Sequence, residues 1–402
     1  MSIKVQALSY LRTMFADPQP SLRLAFWDGD LFDFSSQPEV VIRITSPRVL
    51  GALMQGDFEK LGDAYVNGSL AVEGRPRDII NVGVCLCEKL EKSRAAGLMK
   101  FMTRFASRRM SMAQEAANVR RHYDVSNEFY KLWLDKRLVY SCAYYQNDDD
   151  DIDLAQEQKL SHLCRKLMLK PGEKLLDVGC GWGALLQWAT ERHGTIGTGI
   201  TLSERQFEEA KIRLAHLDGK VDLAIKNFKE LDECSLFDKV VSVGMYEHVG
   251  AAALPTYFSK MAMLLKPGGV FLNHGIVSTG GQPGPSGGEF IERYVFPGGS
   301  VSTLSTLARE ISSAGLEILD IEDLRPHYVR TLLDWSERLE RHKESAIEAA
   351  GPEVYRIWRV YLPGMAYAFE RGWLSVAQIL ALKPKDGRPA PRPWTRAYQY
   401  LY

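Results

Sequence analysis

Apolar and polar positions follow a repeating pattern in the second half of the chain. From about residue 150 onward, short apolar runs alternate with amphipathic stretches long enough for a helix, except that VDLAIKNF is followed directly by the next run. Short apolar runs are typical of buried strands, and strands that alternate with helices at this spacing predict a parallel, doubly wound α/β sheet. The runs are KLLDVGCGWG (174–183), TIGTGITLSERQ (195–206), VDLAIKNF (221–228), DKVVSVGM (238–245) and VFLNHGIV (270–277).

The segments on either side of this pattern differ from it. Residues 1–92 mix the strand-like runs LRLAFW and VVIRI with helical stretches, which predicts a small α+β domain. Residues 283–380 lose the alternation, and we expect them to be mostly helical and to cover the substrate. The predicted parts are an N-terminal domain over 1–92, a linker over 93–115 and a catalytic domain over 116–402.

The predicted linker has the pattern of a basic amphipathic helix. Lys100, Arg104 and Arg108 recur at helical spacing beside an apolar stripe. Such a helix binds a membrane interface through anionic lipid on one face and buried aromatic side chains on the other. An interdomain helix that packs on protein has the same pattern, so both interpretations stay open. The apolar stripe consists of Leu98, Phe101, Met102 and Phe105.

Composition and charge narrow the class of protein. The 402 residues are 46% hydrophobic and 25% charged, and their formal net charge is zero, so no global field attracts nucleic acid. No apolar stretch approaches the roughly 18 residues of a membrane span, and the N-terminus lacks the apolar core of a signal peptide. The six cysteines are scattered as in proteins with reduced thiols, and no ligand spacing predicts a metal site. We therefore expect a cytoplasmic protein.

The segment LLDVGCGWG (175–183) carries the clearest chemical signal. An apolar strand runs into an aspartate and a G-x-G-x-G loop that opens a helix, where glycines let the backbone approach a ligand. The spacing is tighter than the G-x-G-x-x-G of dinucleotide-binding proteins and matches the S-adenosylmethionine loop of class I methyltransferases. A glycine turn without a ligand is the alternative. The next strand lacks the usual ribose-binding acid and offers Thr201, Ser203 and Gln206 instead.

Six motifs, in this order, resemble those of the cyclopropane-fatty-acyl-phospholipid synthases and their relatives, the mycolic acid cyclopropane synthases and methyltransferases. The resemblance implies the Rossmann-like fold of a class I S-adenosylmethionine-dependent methyltransferase. A seventh segment, GDAYVNGSLAVEG (62–74), is similar to the lipid-binding domain of the longer bacterial members. The six motifs are HYDVSNEFYKLWL (122–134), YSCAYY (140–145), LLDVGCGWG, GITLSERQ (199–206), VVSVGMYEHVG (240–250) and FIERYVFPGG (290–299).

The resemblance also implies a reaction and its partners. Enzymes of this family transfer the methyl group of S-adenosylmethionine to a cis double bond of a phospholipid acyl chain, and a bound bicarbonate accepts the proton whose loss closes a cyclopropane ring. We expect a homodimer associated peripherally with the inner face of the cell membrane, with no nucleic acid partner. The residues that match the family's bicarbonate site are Glu247, His274, Tyr328 and the backbone N–H groups of Cys142 and Ile276.

Further residues are assigned to the cofactor and to the acyl chain on the same basis. The adenine segment departs from the family's Asp-Tyr-Arg-Asp, and we expect Asn227 to bond the adenine amino group through its side-chain carbonyl. The implied cofactor residues are Tyr140, Ser141, Gly179, Gly181, Thr201, Leu202, Gln206, Asn227 and Phe228. The aromatic candidates for a dry acyl pocket are Tyr123, Tyr140, Tyr144 and Phe296.

Other interpretations of these residues and of the function stay open. Without the resemblance, His274 is a core histidine and Tyr328 a buried tyrosine with a bonded hydroxyl. No neighbour in the sequence activates the thiol of Cys142, so we expect its backbone to form the contact. Gly275 stands where the family often has threonine, which gives weight to a methyl-branched product. Methylation of a small soluble acceptor and non-catalytic lipid binding are the remaining alternatives.

Overall fold

The computed structural model describes residues 3–15, 19–95, 125–231, 237–280, 288–385, 388 and 392–400, and these form two compact units. The predicted basic helix lies outside the described residues. None of the helices within the described ranges is long and apolar enough to cross a bilayer. The first unit takes its described residues from Met1–Phe105, Pro283–Val295 and Leu339–Tyr367, and the second from Ala106–Gln282, Phe296–Arg338 and Ala368–Tyr402.

The first unit contains a four-stranded sheet in the order β2-β1-β3-β4. Strands β1 and β3 run parallel, and the other neighbouring pairs are antiparallel. Alternate residues of β3, such as Ile42 and Ile44, are buried, as expected for a sheet with one face on a core. The N-terminal part is thus α+β. Its elements are α1 (Ile3–Met14), β1 (Leu22–Phe26), β2 (Leu31–Asp33), β3 (Val40–Ile44), α2 (Pro47–Gln55), α3 (Phe58–Asn67), β4 (Leu70–Glu73) and α4 (Pro76–Ala95).

The later elements are numbered in chain order, whichever unit they belong to. They are α5 (Asn127–Trp133), α6 (Ile152–Lys166), β5 (Lys174–Val178), α7 (Ala184–His193), β6 (Ile196–Thr201), α8 (Glu204–Leu214), β7 (Val221–Ile225), β8 (Phe237–Val243), α9 (Leu254–Leu264), β9 (Leu265–Ser278), α10 (Gly288–Tyr294), α11 (Leu304–Ser313), β10 (Glu317–Asp323), α12 (Arg325–Arg341), α13 (Lys343–Glu370), β11 (Leu374–Leu382) and α14 (Ala397–Tyr400).

A seven-stranded sheet forms the centre of the second unit, in the order β10-β11-β9-β8-β5-β6-β7. Strands β9, β8, β5, β6 and β7 are parallel neighbours, whereas β11 and β10 are antiparallel additions. On β5, Leu176 and Val178 join one hydrophobic cluster while Leu175 joins another, so both faces of the sheet are covered. The predicted class I, Rossmann-like α/β fold is confirmed.

The segment 283–380 is mostly helical, as predicted, because α10, α11, α12 and α13 occupy the larger part of it. It also supplies two strands that the sequence did not predict, β10 and β11, which complete the sheet beyond β9. Strand β11 reads LSVAQILAL and is buried over most of its length. Such a continuous apolar run cannot be distinguished by periodicity from a buried helix, which explains why β11 was not predicted as a strand.

The first unit also extends beyond the N-terminal domain predicted at 1–92, because it includes α10 and most of α13. Arg359 donates to the backbone carbonyls of Val72 at 2.7 Å and Gly74 at 3.0 Å. Arg356 donates to the carbonyl of Val66 at 2.8 Å. Hydrogen bonds from a charged guanidinium group are strong. They join residues that are remote in sequence into the same unit, and no local pattern predicts such contacts.

Candidate active site

The predicted cofactor residues converge on one pocket of the second unit. The pocket lies at the carboxyl ends of the parallel strands β5, β6 and β8, where ligands bind in open α/β sheets. All nine of the residues assigned to the cofactor line it, namely Tyr140, Ser141, Gly179, Gly181, Thr201, Leu202, Gln206, Asn227 and Phe228. The apolar remainder of its lining includes Val178, Ile200, Val243 and Met245.

The glycine loop after β5 has a backbone that side chains would obstruct. Gly179 has φ +85°, and a Cβ atom there would lie 2.9 Å from Cγ of Met245. Gly183 has φ +81° and faces Leu214 in the same way, at 2.8 Å. Both positions combine a left-handed backbone with a close neighbour, which glycine alone tolerates without cost. The loop therefore brings bare backbone to the pocket.

Replacing Gly179 by alanine is expected to weaken the binding of S-adenosylhomocysteine by about tenfold or more, because a left-handed alanine costs about 1–2 kcal/mol before any contact is counted. Calorimetric titration measures this. Gly172→Ala is the matched control, since Gly172 has φ +79° with no atom within 4 Å of a Cβ. An equal loss of affinity in both variants would contradict a specific role for the loop.

The second strand replaces the missing acid with a hydrogen-bonded pair. The hydroxyl of Thr201 donates to Oε1 of Gln206 at 2.9 Å and accepts from the backbone N–H of Ser203 at 3.2 Å. Ser203 also caps α8, since its hydroxyl accepts from the N–H of Gln206. The start of α8 is thus tied to the end of β6, and the Gln206 amide keeps its N–H donors for a ligand.

The adenine segment begins a 3₁₀ turn, Phe228–Glu230. Asn227 caps this turn, because its side-chain carbonyl accepts from the N–H of Lys229 at 3.0 Å while its own N–H donates to Glu230 at 2.7 Å. The side-chain carbonyl predicted to bond adenine thus already accepts backbone N–H groups of this turn, in a capping box with Glu230. Phe228 is buried against Tyr257, with ring centroids 5.1 Å apart.

The segment around Cys142 is held by side chains from two helices. Gln156 donates to the carbonyls of Val139 at 3.2 Å and Ser141 at 2.9 Å. Thr331 accepts from the N–H of Ala143 at 3.1 Å. The Cys142 backbone N–H, by contrast, has no acceptor in the part of the chain that the structure describes. These contacts fix the backbone and leave the predicted anion donor available.

The thiol of Cys142 is buried and unreactive. Its exposed fraction is 1%, and Sγ faces the carbonyls of Ala143 and Leu324 at 3.2 and 3.8 Å. Burial raises the pKa of this thiol far above its usual range. Because the thiolate is the nucleophilic form of cysteine, the side chain does not serve as a nucleophile.

Glu247 has a buried carboxyl group with one unused oxygen. It lies in the 3₁₀ turn Tyr246–His248 after β8, where Oε1 accepts from the N–H of Ile276 at 2.8 Å. Oε2 is buried and has no hydrogen-bond partner among the described residues. Burial raises the pKa of this carboxyl group to about 7. The Ile276 N–H, which was assigned to bicarbonate, is therefore already bonded to Glu247.

His274 lies on β9, two residues before Ile276 and on the same face of the strand. Its Nδ1 accepts from the side-chain amide of Gln378 on β11 at 3.1 Å. Burial lowers the pKa of His274 well below its usual range, and the charge of Lys159 lowers it further. The imidazole is therefore neutral and carries its hydrogen on Nε2.

Gly275 allows a close approach between this strand and the turn that carries Glu247. A Cβ atom at position 275 would lie 2.3 Å from Cε1 of Tyr246 and 3.1 Å from Oε1 of Glu247. The Tyr246 hydroxyl also donates to the carbonyl of Ile276. The packing of Tyr246 thus requires glycine at this position, where the family often has threonine.

The remaining two positions of the predicted bicarbonate set meet at Leu324. The carbonyl of Leu324 faces the Cys142 thiol and accepts from the N–H of Tyr328 at 3.1 Å. The N–H of Leu324 donates at 2.8 Å to Val376, the residue that pairs with Ile276 across β11 and β9. All five predicted residues are therefore connected through β9 and β11, and a hydrogen bond joins Glu247 directly to Ile276.

Of the four aromatic candidates, Tyr140 lines the cofactor pocket, and the other three have different positions. Phe296 stacks on His248, with ring centroids 4.5 Å apart, and His248 lines the cofactor pocket. Tyr144 is stacked between His162 at 4.3 Å and His327 at 4.6 Å, a packing that accounts for this ring without a substrate contact. Tyr123 lies outside the described residues.

The comparison with known proteins identifies the family. A family model described as mycolic acid cyclopropane synthetase matches residues 110–379. The chain belongs to this family. One relative is a "Probable fatty acid methyltransferase" of Pseudomonas putida. It is 44% identical over 384 residues, which cover 94% of this chain and 96% of the relative. "Cyclopropane mycolic acid synthase 1" of Mycobacterium tuberculosis is 34% identical over 280 residues, covering 66% and 97%.

Solved structures agree with this assignment to the synthetase family. The crystal structure of mycolic acid cyclopropane synthase CmaA1, complexed with SAH and CTAB, matches with a TM-score of 0.64 and 34% identity, covering 67% of this chain and 98% of the other. The cyclopropane synthase MmaA2 from Mycobacterium tuberculosis also gives a TM-score of 0.64, at 32% identity. The chain is thus a methyltransferase that uses S-adenosylmethionine.

The pocket fits this cofactor. Bare backbone at Gly179 and Gly181 would lie along the methionine end, and the polar pair of Thr201 and Gln206 would serve the ribose. Sequence reasoning did not single out Lys159, which lines the pocket and donates to the hydroxyl of Ser141 at 2.8 Å. A lysine on the buried side of an amphipathic helix was the signal that could have revealed it.

Proposed function

We propose that the chain transfers the methyl group of S-adenosylmethionine to a cis double bond of a phospholipid acyl chain and forms a cyclopropane ring. The observation that carries the proposal is the unused oxygen of Glu247. A buried carboxyl group with a raised pKa and a free Oε2 stands one residue before His248, which lines the cofactor pocket. Perturbed groups of this kind cluster at catalytic sites.

The reaction requires a dry site beside the cofactor. S-adenosylmethionine, when bound, supplies a methyl group that an alkene carbon attacks, which leaves a carbocation on the acyl chain. Phe296, stacked on His248, offers an aromatic face to a cation. The buried thiol of Cys142 stays protonated and does not trap the cation.

Ring closure requires the loss of one proton from the added methyl group. Bicarbonate, when bound, would supply the base for this proton. The unbonded Oε2 of Glu247 and the unbonded N–H of Cys142 fit an acceptor for its hydroxyl and a donor to its oxygens. Glu247 would hold the hydroxyl hydrogen, while the Nε2–H of His274 and the Tyr328 hydroxyl would orient the anion. The Ile276 N–H would have to be shared between Glu247 and the anion.

Replacing Cys142 by alanine is expected to preserve most of the activity, within about fivefold, because alanine keeps the backbone N–H and the buried thiol forms only weak hydrogen bonds. Initial rates of methyl transfer to phospholipid vesicles measure this. Cys164→Ala is the matched control, as Cys164 is also fully buried with a raised pKa. If Cys142→Ala abolishes activity while Cys164→Ala does not, the sulfur takes part in the reaction.

The substrate and the place of action are part of the same proposal. The first unit carries the segment similar to lipid-binding domains, and we propose that it binds the membrane surface at the inner face of the cell membrane. The two relatives are named for fatty acids and mycolic acids, both of which are long acyl chains. These names support a lipid acceptor for this chain.

Expression in a bacterial host that lacks cyclopropane lipids tests the proposed reaction. Acyl chains with one cis double bond are expected to gain the mass of one CH₂ group, and nuclear magnetic resonance is expected to identify a ring. A saturated or unsaturated methyl branch would reject ring closure but keep the methyl transfer. Unchanged lipids, in a host that makes folded protein able to bind S-adenosylhomocysteine, would reject the lipid acceptor.

A methyl-branched product is the second candidate. The relative of Pseudomonas putida is named as a fatty acid methyltransferase, without a ring in its name. Gly275 and Tyr246 also shape the approach to Glu247 differently from a threonine-bearing site. The product's structure, determined in the experiment above, separates the two candidates.

A further inference from the structure

Lys159 brings a positive charge to the cofactor pocket without an anionic partner. It lies on α6 with an exposed fraction of 2%, and its Nζ donates to the neutral hydroxyl of Ser141 at 2.8 Å. An ammonium group has three N–H donors, and no described carboxylate forms an ion pair with this one. A buried charge without a partner is costly. Burial accordingly lowers the pKa of Lys159 to about 8.

Asp177 brings the opposite charge to the same pocket. It is the aspartate at the end of β5, with an exposed fraction of 3%, and it lines the pocket together with Lys159. No described group donates a hydrogen bond to its carboxylate, and burial raises its pKa to about 7. The pocket therefore contains one buried cation and one buried anion that do not form an ion pair with each other.

These two charges complement one part of the cofactor. The methionine end of S-adenosylmethionine carries an α-carboxylate and an α-ammonium group on the same carbon atom. We propose that Lys159 is a positioning residue that binds the α-carboxylate while holding Ser141, and that Asp177 receives the α-ammonium group. The bound amino acid then provides each buried charge with its missing partner. This inference concerns the cofactor alone and does not depend on the acceptor lipid.

Lys166, on the same helix, provides a comparison with a buried lysine that has a structural role. Its exposed fraction is 0%, but its ammonium group pairs with Glu322 on β10, and it does not line the pocket. Lys166 thus has the anionic partner that Lys159 lacks. The contrast indicates that the partner of Lys159 is a ligand rather than a neighbouring side chain.

Calorimetric titration with three ligands tests the inference. S-adenosylhomocysteine carries both charged groups, its decarboxylated analogue lacks the carboxylate, and 5′-methylthioadenosine lacks both. Lys159→Met is expected to weaken the binding of S-adenosylhomocysteine by about 10- to 100-fold, the range for loss of a hydrogen bond to a charged group. The same variant is expected to change the other two dissociation constants by less than about threefold. An equal loss for all three ligands would contradict the inference, because it would indicate a collapsed pocket.

A second variant tests the role of Asp177, and a control variant tests the effect of replacing a buried lysine outside the pocket. Asp177→Asn is expected to weaken the binding of S-adenosylhomocysteine and of the decarboxylated analogue, while the binding of 5′-methylthioadenosine is unchanged. Lys166→Met is expected to lower the melting temperature without changing the ratios of the three dissociation constants. Lys159→Met, which removes an unpaired buried charge, is expected to leave the melting temperature of the free protein unchanged or higher.

The wild-type chain supplies a measurement that needs no variant. Its affinity for S-adenosylhomocysteine is expected to exceed that for the decarboxylated analogue by about tenfold or more. A difference below about threefold would overturn the role of Lys159, whether or not the variants fold. Since S-adenosylhomocysteine has no sulfonium charge, repulsion between that charge and Lys159 does not enter the comparison.

Discussion

Replacing Glu247 by glutamine is expected to reduce the rate of product formation by about 10²- to 10⁴-fold, the range for loss of a group that takes part in proton transfer. The amide keeps the size of the side chain but removes the charge that would make a bound anion basic. Affinity for S-adenosylhomocysteine is expected to change by less than about threefold, because the Glu247 side chain does not line the cofactor pocket. Rates on phospholipid vesicles and calorimetric titration measure the two quantities separately.

The pH dependence provides an independent measure of the same group. Burial raises the pKa of Glu247 to about 7, so below that pH the carboxyl group is protonated and lacks the negative charge that would make a bound anion basic. The rate under limiting substrate is therefore expected to rise as the pH increases through about 7. Exposed Glu208→Gln is the control and is expected to leave rate and profile unchanged. A Glu247→Gln variant with more than a tenth of the wild-type rate would contradict the proposed role.

Replacing Gly275 by alanine is expected to destabilise the protein by about 3 kcal/mol, near the upper end of the usual cost of overpacking a core. The new Cβ atom would lie 2.3 and 2.6 Å from two atoms of the Tyr246 ring, which is 1% exposed and has no room to move. Because the neighbouring Glu247 would be displaced as well, the rate is expected to fall by at least about tenfold. Denaturant unfolding and initial rates measure these effects.

Gly83 supplies a control with the same chemical change. It lies in α4, and a Cβ atom there would have no heavy atom within 4 Å. Gly83→Ala is therefore expected to leave stability unchanged or to raise it by about 0.5–1 kcal/mol, since alanine favours the helix. Equal stability of Gly275→Ala and wild type would show that Tyr246 can move, and Gly275 would then have no special role in supporting Glu247.

The parts of the fold that follow local patterns were predictable from the sequence. Strands β5, β6, β8 and β9 alternate with helices, and the glycine loop after β5 has a spacing tied to one kind of ligand. Strand β11 was missed for a physical reason. A strand buried on both faces has no period of two, so LSVAQILAL carries no signal against a helix.

The candidate site was predictable to a similar extent. Residues within one motif, such as Tyr140 and Ser141, come to the pocket together with the rest of the cofactor set. Contacts between distant strands were not predictable from one sequence, as the bond between His274 and Gln378 shows. Lys159 was missed because its importance depends on the absence of an ionic partner, which is a property of the folded structure.

The bond between Ile276 and Glu247 sharpens the interpretation of the predicted bicarbonate set. The resemblance implied five groups around one anion, but in the structure one predicted donor already contacts the predicted acceptor. A bound anion would therefore have to compete for the Ile276 N–H, while the Cys142 N–H and Oε2 of Glu247 have no described partner. An anion would therefore first bind between the Cys142 N–H and Oε2 of Glu247.

The fate of the transferred methyl group tests the central proposal most directly. Purified full-length chain, S-adenosylmethionine with a fully deuterated methyl group, and vesicles of a phospholipid with one cis double bond would be incubated together. The lipid product would then be analysed by mass spectrometry and nuclear magnetic resonance. Ring closure predicts a cyclopropane whose added carbon keeps two of its three deuterium atoms. A branch that keeps all three, or a product without a ring, would contradict the account.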